Sequence, residues 1–139
     1  MTRRDEDAVE TAIRALRHRD RSTAELDARL AKRGIDAEER EQALETLERV
    51  GYVDDERFAR TRAEQLAARS SGDALIRHDL EQRGVAADVV EAALGSVEPE
   101  RERAQRLVAQ RGATLKTARY LAARGFGEEA LEGIVAHDG

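Results

Sequence analysis

Three copies of one phrase constrain this chain more than anything else in it: a Leu, an Arg-Gly pair three residues on, then an apolar residue. They read Leu30-Ala31-Lys32-Arg33-Gly34-Ile35, Leu80-Glu81-Gln82-Arg83-Gly84-Val85 and Leu121-Ala122-Ala123-Arg124-Gly125-Phe126. Aligned on Gly34, Gly84 and Gly125, the match runs well beyond the phrase. Leu16, Leu66 and Leu107 stand eighteen residues before the glycines, and Ile13, Ala63 and Ala104 twenty-one before. Thr23, Asp73 and Thr114, residue types that favour a helix N-cap, stand eleven before. Ala43-Leu44, Ala93-Leu94 and Ile134-Val135 follow nine and ten after, with no gap needed. The glycines are 50 and 41 residues apart, so length varies between repeats and not within them. Repeats of this length are supersecondary units that bury their apolar faces by stacking on one another.

Each repeat reads as three helices. In the first, Ala8, Ala12, Ala15 and Leu16, with Val9 and Ile13, make one stripe over residues 8–18. A second helix starts at Ser22-Thr23-Ala24-Glu25, the spacing of a capping box, and stops at Gly34 after Leu26 and Leu30. Arg before Gly is a C-terminal signal: glycine takes the left-handed cap, and a cation suits the negative helix end. A third helix opens at Asp36, with Glu39 three residues on, and runs through Ala43, Leu44 and Leu47 to Val50. The same reading places helices from Asp54 and about Asp73 and a third carrying Val89, Val90, Ala93, Leu94 and Val97, then helices from Pro99, Thr114 and Gly127, the last carrying Leu131, Ile134 and Val135. No segment reads as a strand. The predicted fold is all-α, with three tandem three-helix repeats (8–50, 51–97 and 98–138) in an elongated, curved array. Leu66 and Leu80 are expected in its core.

Composition fits thin helical interfaces: 38% of residues are charged, and only 3% are aromatic. The net charge of −5 argues against a chain that lives by gripping phosphates. With no cysteine there is no disulfide or thiol chemistry. No apolar run reaches the length of a membrane span or a signal-peptide core, so a soluble, cytoplasmic protein that does not engage membranes is expected.

A search for chemistry finds little. His18, His78 and His137 lie at different offsets from the repeat glycines, and no metal-ligand spacing occurs among them. Asp54-Asp55-Glu56 could ligate a cation or act as acid and base, but acids also belong at a helix start for capping and dipole reasons. There is no phosphate-binding glycine loop and no nucleophile elbow. Neither an enzyme nor a bound cofactor is expected. Two basic clusters stand out as candidate partner-binding surfaces. One is Arg14, Arg17, His18, Arg19 and Arg21; the other is Arg101, Arg103, Arg106 and Arg111, with Lys116 and Arg119. Such clusters meet phosphates or acidic protein surfaces. With Asp20, Glu25, Glu100 and Glu102 interleaved, they also fit a solvated face. Gly51-Tyr52-Val53-Asp54-Asp55-Glu56-Arg57-Phe58-Ala59 is the most distinctive stretch: a helix stop, a short turn and a helix start, with Tyr52 and Phe58 expected to staple the first unit to the second.

That stretch, Arg21-Ser22-Thr23-Ala24-Glu25-Leu26 and the closing Arg124-Gly125-Phe126 together resemble the RecX family of bacterial regulators of the RecA recombinase. The resemblance runs from about Val9 to Ala136. It implies three tandem three-helix repeats, and a protein that binds RecA and its filament on single-stranded DNA. It further implies restraint of filament growth, ATP hydrolysis and strand exchange, and a damped DNA-damage response. The acidic balance of this chain makes direct DNA binding weak, and a monomer is expected. A helical adaptor for another protein, or a sequence-tolerant DNA binder, are the alternatives that the residues alone leave open.

Overall fold

The computed structural model describes residues 3–134, with side chains from residue 8 onward. Val135 and His137, and the end of the third predicted repeat, lie outside the described residues. Nine helices and no strand occur among those described: α1 (Arg3–His18), α2 (Thr23–Lys32), α3 (Ala37–Arg49), α4 (Asp55–Ala68), α5 (Asp73–Gln82), α6 (Ala87–Ser96), α7 (Glu100–Arg111), α8 (Leu115–Ala123) and α9 (Glu128–Leu131). No helix among them is long and apolar enough to cross a membrane.

The repeated phrase is a complete helix ending. Gly34, Gly84 and Gly125 take φ of +83°, +78° and +90°, the left-handed conformation that only glycine adopts freely. The amide of the residue after each glycine then donates to the carbonyl of the phrase's Leu, as Ile35 does to Leu30 at 3.2 Å, and both Val85 to Leu80 and Phe126 to Leu121 at 3.1 Å. Each glycine amide donates one position nearer, to Ala31, Glu81 or Ala122. This is the Schellman arrangement, and its apolar closing contact accounts for the residue type after the glycine. Leu30, Leu80 and Leu121 are fully buried, with Val85 and Phe126 close behind.

At the other helix end, Ser22 and Glu25 complete the expected capping box: the Glu25 amide donates to Ser22 Oγ at 3.1 Å, and the Ser22 amide to Glu25 Oε1 at 3.0 Å. Asp36, Asp54 and Thr114 likewise cap α3, α4 and α8 through their side chains.

Three separate apolar cores result. The first gathers Ala12, Ala15, Leu26, Leu30, Leu44, Leu47 and Val53; the second forms around Phe58, Ala63, Leu66, Ile76, Leu80, Val90 and Leu94; the third holds Ala104, Leu121, Phe126, Ala130 and Ile134. Leu66 and Leu80 are core residues as expected. Extensive helix packing stays within α1–α3, α4–α6 and α7–α9. The units are therefore joined by something other than a shared core.

Tyr52 departs from its expected role. It is 57% exposed, while its neighbour Val53 is 2% exposed and enters the first core. Gly51, at φ +85°, turns the chain, and the amides of Tyr52 and Val53 both reach back to the Leu47 carbonyl. Only one of the two side chains then faces inward, and it is the valine. Phe58 packs inside the second core, not across the turn.

Candidate protein-binding surface and the junctions between units

The units meet where the start of one middle helix abuts the end of the next. At the first junction the opening turn of α2 sits on the Arg83-Gly84 end of α5. Ser22 Oγ donates to the Arg83 carbonyl at 2.5 Å, and the Arg83 guanidinium donates to Glu25 at 3.0 Å. Asp55 accepts from both the amide and the hydroxyl of Thr23, at 2.8 and 3.0 Å. A Cβ on Gly84 would lie 2.4 Å from Cβ of Ala24, so glycine is needed for approach as well as for its φ. Asp79 orders the seat by binding Arg62 through both oxygens, each at 3.0 Å, and Arg83 at 3.0 Å. The hydrogen bond from Arg62 holds the Asp79 carboxyl below its ordinary range; burial pushes the other way, and Arg83 adds to the lowering.

The second junction repeats the first. The opening turn of α5 sits on the Arg124-Gly125 end of α8: the Gly72 amide donates to the Arg124 carbonyl at 2.7 Å and the Ala74 amide to Gly125 at 3.2 Å. Glu100 accepts from the Asp73 amide at 2.6 Å, the part Asp55 plays for Thr23. Arg124 donates to the carbonyls of Arg69 and Ser70 and to Ser71 Oγ. Arg103 donates to the carbonyls of Ser71 and Glu98 and pairs with Asp73. Burial, then the nearby Glu100 charge, raise the Asp73 carboxyl above its ordinary range despite that pair.

These contacts assign the distinctive Asp-Asp pair. Asp54 caps its own helix by accepting from the Arg57 amide at 3.1 Å, and Asp55 caps the helix of the preceding unit. Among the described residues, no group of three or more His, Asp or Glu could hold a metal. The acids near Asp54 are spent on helix starts.

The candidate partner-facing cations divide into three kinds. Arg103 is removed from the set: at 5% exposure, with its guanidinium occupied by two carbonyls and a carboxylate, it is an interior tie between the second and third units. Sequence pattern places it beside Arg101 and Arg106, but about half a turn of helix separates the inward Arg103 from the outward Arg101. A second group is engaged but reachable. Arg106 pairs with Glu98, Arg111 stacks 3.7 Å above the Tyr120 ring, Arg19 lies 3.8 Å from Glu25, and Arg21 donates to the Ala15 carbonyl. The third group, Arg14, Arg17, Arg101, Lys116 and Arg119, is exposed, with no hydrogen bond or ion pair among the described residues. These cations lie on the first and third units. In the middle unit Arg62, Arg77 and Arg83 are tied to Asp79, Glu91 and Glu25, whereas Arg60 and Arg69 are exposed, with no side-chain hydrogen bond or ion pair among the described residues.

The structure adds two cations to the candidate partner-facing set. Arg29, in the last turn of α2, and Arg33, its C-cap, share a cleft with Arg14, His18, Thr11 and Ala15. The signal for Arg29 lies in the repeat alignment: five residues before the glycine, Asp79 stands in the second unit and Arg29 in the first.

Comparison with known proteins agrees with this architecture. Residues 8–47 match the model of the first three-helix domain of RecX, and residues 54–94 that of the second. The regulatory protein RecX of Syntrophotalea carbinolica is 40% identical over 101 residues, covering 71% of this chain and 65% of that protein. That of a Mycobacterium species is 33% identical over 150 residues, covering 95% of this chain and 81% of that protein. In the first three relatives compared, the match spans 57 to 65% of the relative's length. The crystal structure of RecX from Lactobacillus salivarius superposes with a TM-score of 0.82 at 16% identity, over 96% of both chains, a likeness of fold.

Proposed function

Because the chain belongs to the RecX family of regulatory proteins, we propose that it binds RecA and its filament on single-stranded DNA and inhibits the recombinase. The observation that carries the reading is the family match over both three-helix domains, together with the exposed candidate cations on the first and third units. Cations separated in this way can touch two places on an extended partner at once, so modest contacts add through effective concentration. Inhibition then follows without catalysis: a ligand that binds one assembly state better than another shifts the population toward it. The acidic balance keeps the protein from competing for DNA itself, so acidic recombinase surface is the preferred target of Arg14 and Arg17.

The test is ATP hydrolysis by the RecA of the same organism on single-stranded DNA, titrated with this protein from substoichiometric amounts. Suppression well below one copy per protomer is expected. Reversing Arg14 and Arg17 to Glu should raise the half-inhibitory concentration and flatten its salt dependence. No suppression at equimolar folded protein would refute the reading. Tight binding to DNA in the absence of RecA, lost steeply with salt, would replace it with DNA binding.

A further inference from the structure

Twice within this molecule, an Arg-Gly helix end receives the opening turn of another helix. Among the described residues, the third such end, Arg33-Gly34 at the close of α2, receives nothing. No atom of the described residues lies within 4 Å of where a Cβ on Gly34 would be, against 2.4 Å to Ala24 at Gly84 and 2.7 Å to the Leu75 amide at Gly125. The geometry of the three ends is otherwise the same, with the same Schellman bonds. We propose that Arg33-Gly34, with Arg14, His18 and Arg29 beside it, is an open seat for the acidic first turn of a helix from a partner protein.

The charges decide which helix fits. At both filled seats the arriving turn carries an acid that meets an arginine of the receiving unit: Glu25 meets Arg83, and Asp73 meets Arg103. At the open seat, Arg33 occupies the place of Arg83. The internal acid that steadies Arg83, Asp79, is replaced there by Arg29. Among the described residues, Arg33 therefore lacks both the anion of its own unit and the anion of an incoming helix. Arg14 and Arg29 in the same cleft deepen that deficit. Helix-end dipoles act in the same sense, since a negative C-terminus favours the positive start of another helix.

A second copy of the chain is a poor occupant. Among the described residues, the one middle-helix start left unused is that of α8, and it has no acid in its first turn. Lys116 stands there instead, one residue past Leu115. Stacked on the open seat it would set lysine against three arginines, so charge blocks head-to-tail growth while admitting an acidic foreign helix. This inference concerns the chemistry of the partner segment and stands independently of whether the partner is the recombinase.

The test uses the full chain, labelled with ¹⁵N, and a synthetic peptide of its own residues 20–31, whose opening turn already fits one such seat. A free helix of this length is marginal in water, so titration should reach millimolar peptide. Saturable amide shifts centred on Arg29, Arg33, Gly34 and Ile35 are expected. They should weaken about tenfold when the peptide carries Glu25→Lys, a change equivalent to one lost ion-paired contact. In the protein, Gly34→Asn should also abolish them: Asn tolerates the left-handed conformation, but its side chain fills the approach. Gly51→Asn, at a glycine equally open and equally left-handed, should bind as the parent does. Absent shifts, shifts elsewhere on the surface, or equal binding of both peptides would overturn the proposal. Concentration-dependent self-association in sedimentation, abolished by Gly34→Asn, would give the seat to a second copy and overturn it as well.

Discussion

Asp79 holds three roles in one carboxylate: it receives both donors of Arg62, steadies Arg83, and through Arg83 presents the seat on which Ser22 and Glu25 rest. Its folded pKa lies below that of an unfolded aspartate, near 4. The sign of linkage follows: its contribution is intact above the unfolded value and is lost as pH falls through the lower folded one. Circular dichroism melts from pH 7 to 2 should show stability falling below about pH 4. An Asp79→Asn variant should be less stable at pH 7 and show a shallower slope in the acid range; parallel slopes would remove Asp79 from the cause. The same residue shows why part of the site is hard to read from sequence. Nothing local distinguishes Asp79 from the many surface acids. Its meaning comes from Arg62, seventeen positions away.

At the scale of elements, legibility follows sequence distance. Helix ends are written in consecutive residues, so the Leu-x-x-Arg-Gly-apolar phrase and the Ser-x-x-Glu box announce their geometry. The core positions repeat with the helical period, and Leu66, Leu80 and Leu121 are buried where that period puts them. Junction contacts are different. Ser22 and Arg83 are 61 positions apart, and no spacing rule connects them. Arg103 is misread for the same reason: its partners Ser71 and Asp73 lie about thirty residues upstream. Tyr52 fails through competition, since Val53 reaches the same core place. Each three-helix element has its own small core, so one deletion should be felt throughout its unit. Leu80→Ala, at a fully buried position, should cost about 2–5 kcal/mol in chemical denaturation. A loss under 1 kcal/mol would mean that the second core collapses around the gap.

For the whole molecule, the question is how three cores come to act as one body. Among the described residues, no hydrogen bond or ion pair links α1–α3 directly to α7–α9, so coupling passes through the middle unit and its two seams. Gly72 offers a clean way to break one. Its backbone is extended (φ −81°), so any residue could adopt it. A Cβ there would nonetheless lie 2.3 Å from the backbone of Gly125 and Phe126. Gly72→Ala should therefore part the second seam without disturbing either core, at a cost of about 1–3 kcal/mol. Calorimetry should show the single transition of the parent broaden or divide, with α7–α9 melting first. One sharp, unshifted transition would mean that the seam does not carry the coupling.

The division of labour between dry cores and polar seams also has a mechanical side. Tension along the chain of units is borne in series, and the weakest link in a series yields first. Here that link is a handful of hydrogen bonds and ion pairs, which water can replace as they open. The cores have no such substitute, since opening them exposes hydrocarbon. The molecule should thus behave as three stiff beads on compliant couplings, bending or lengthening at two fixed places while each bead keeps its shape.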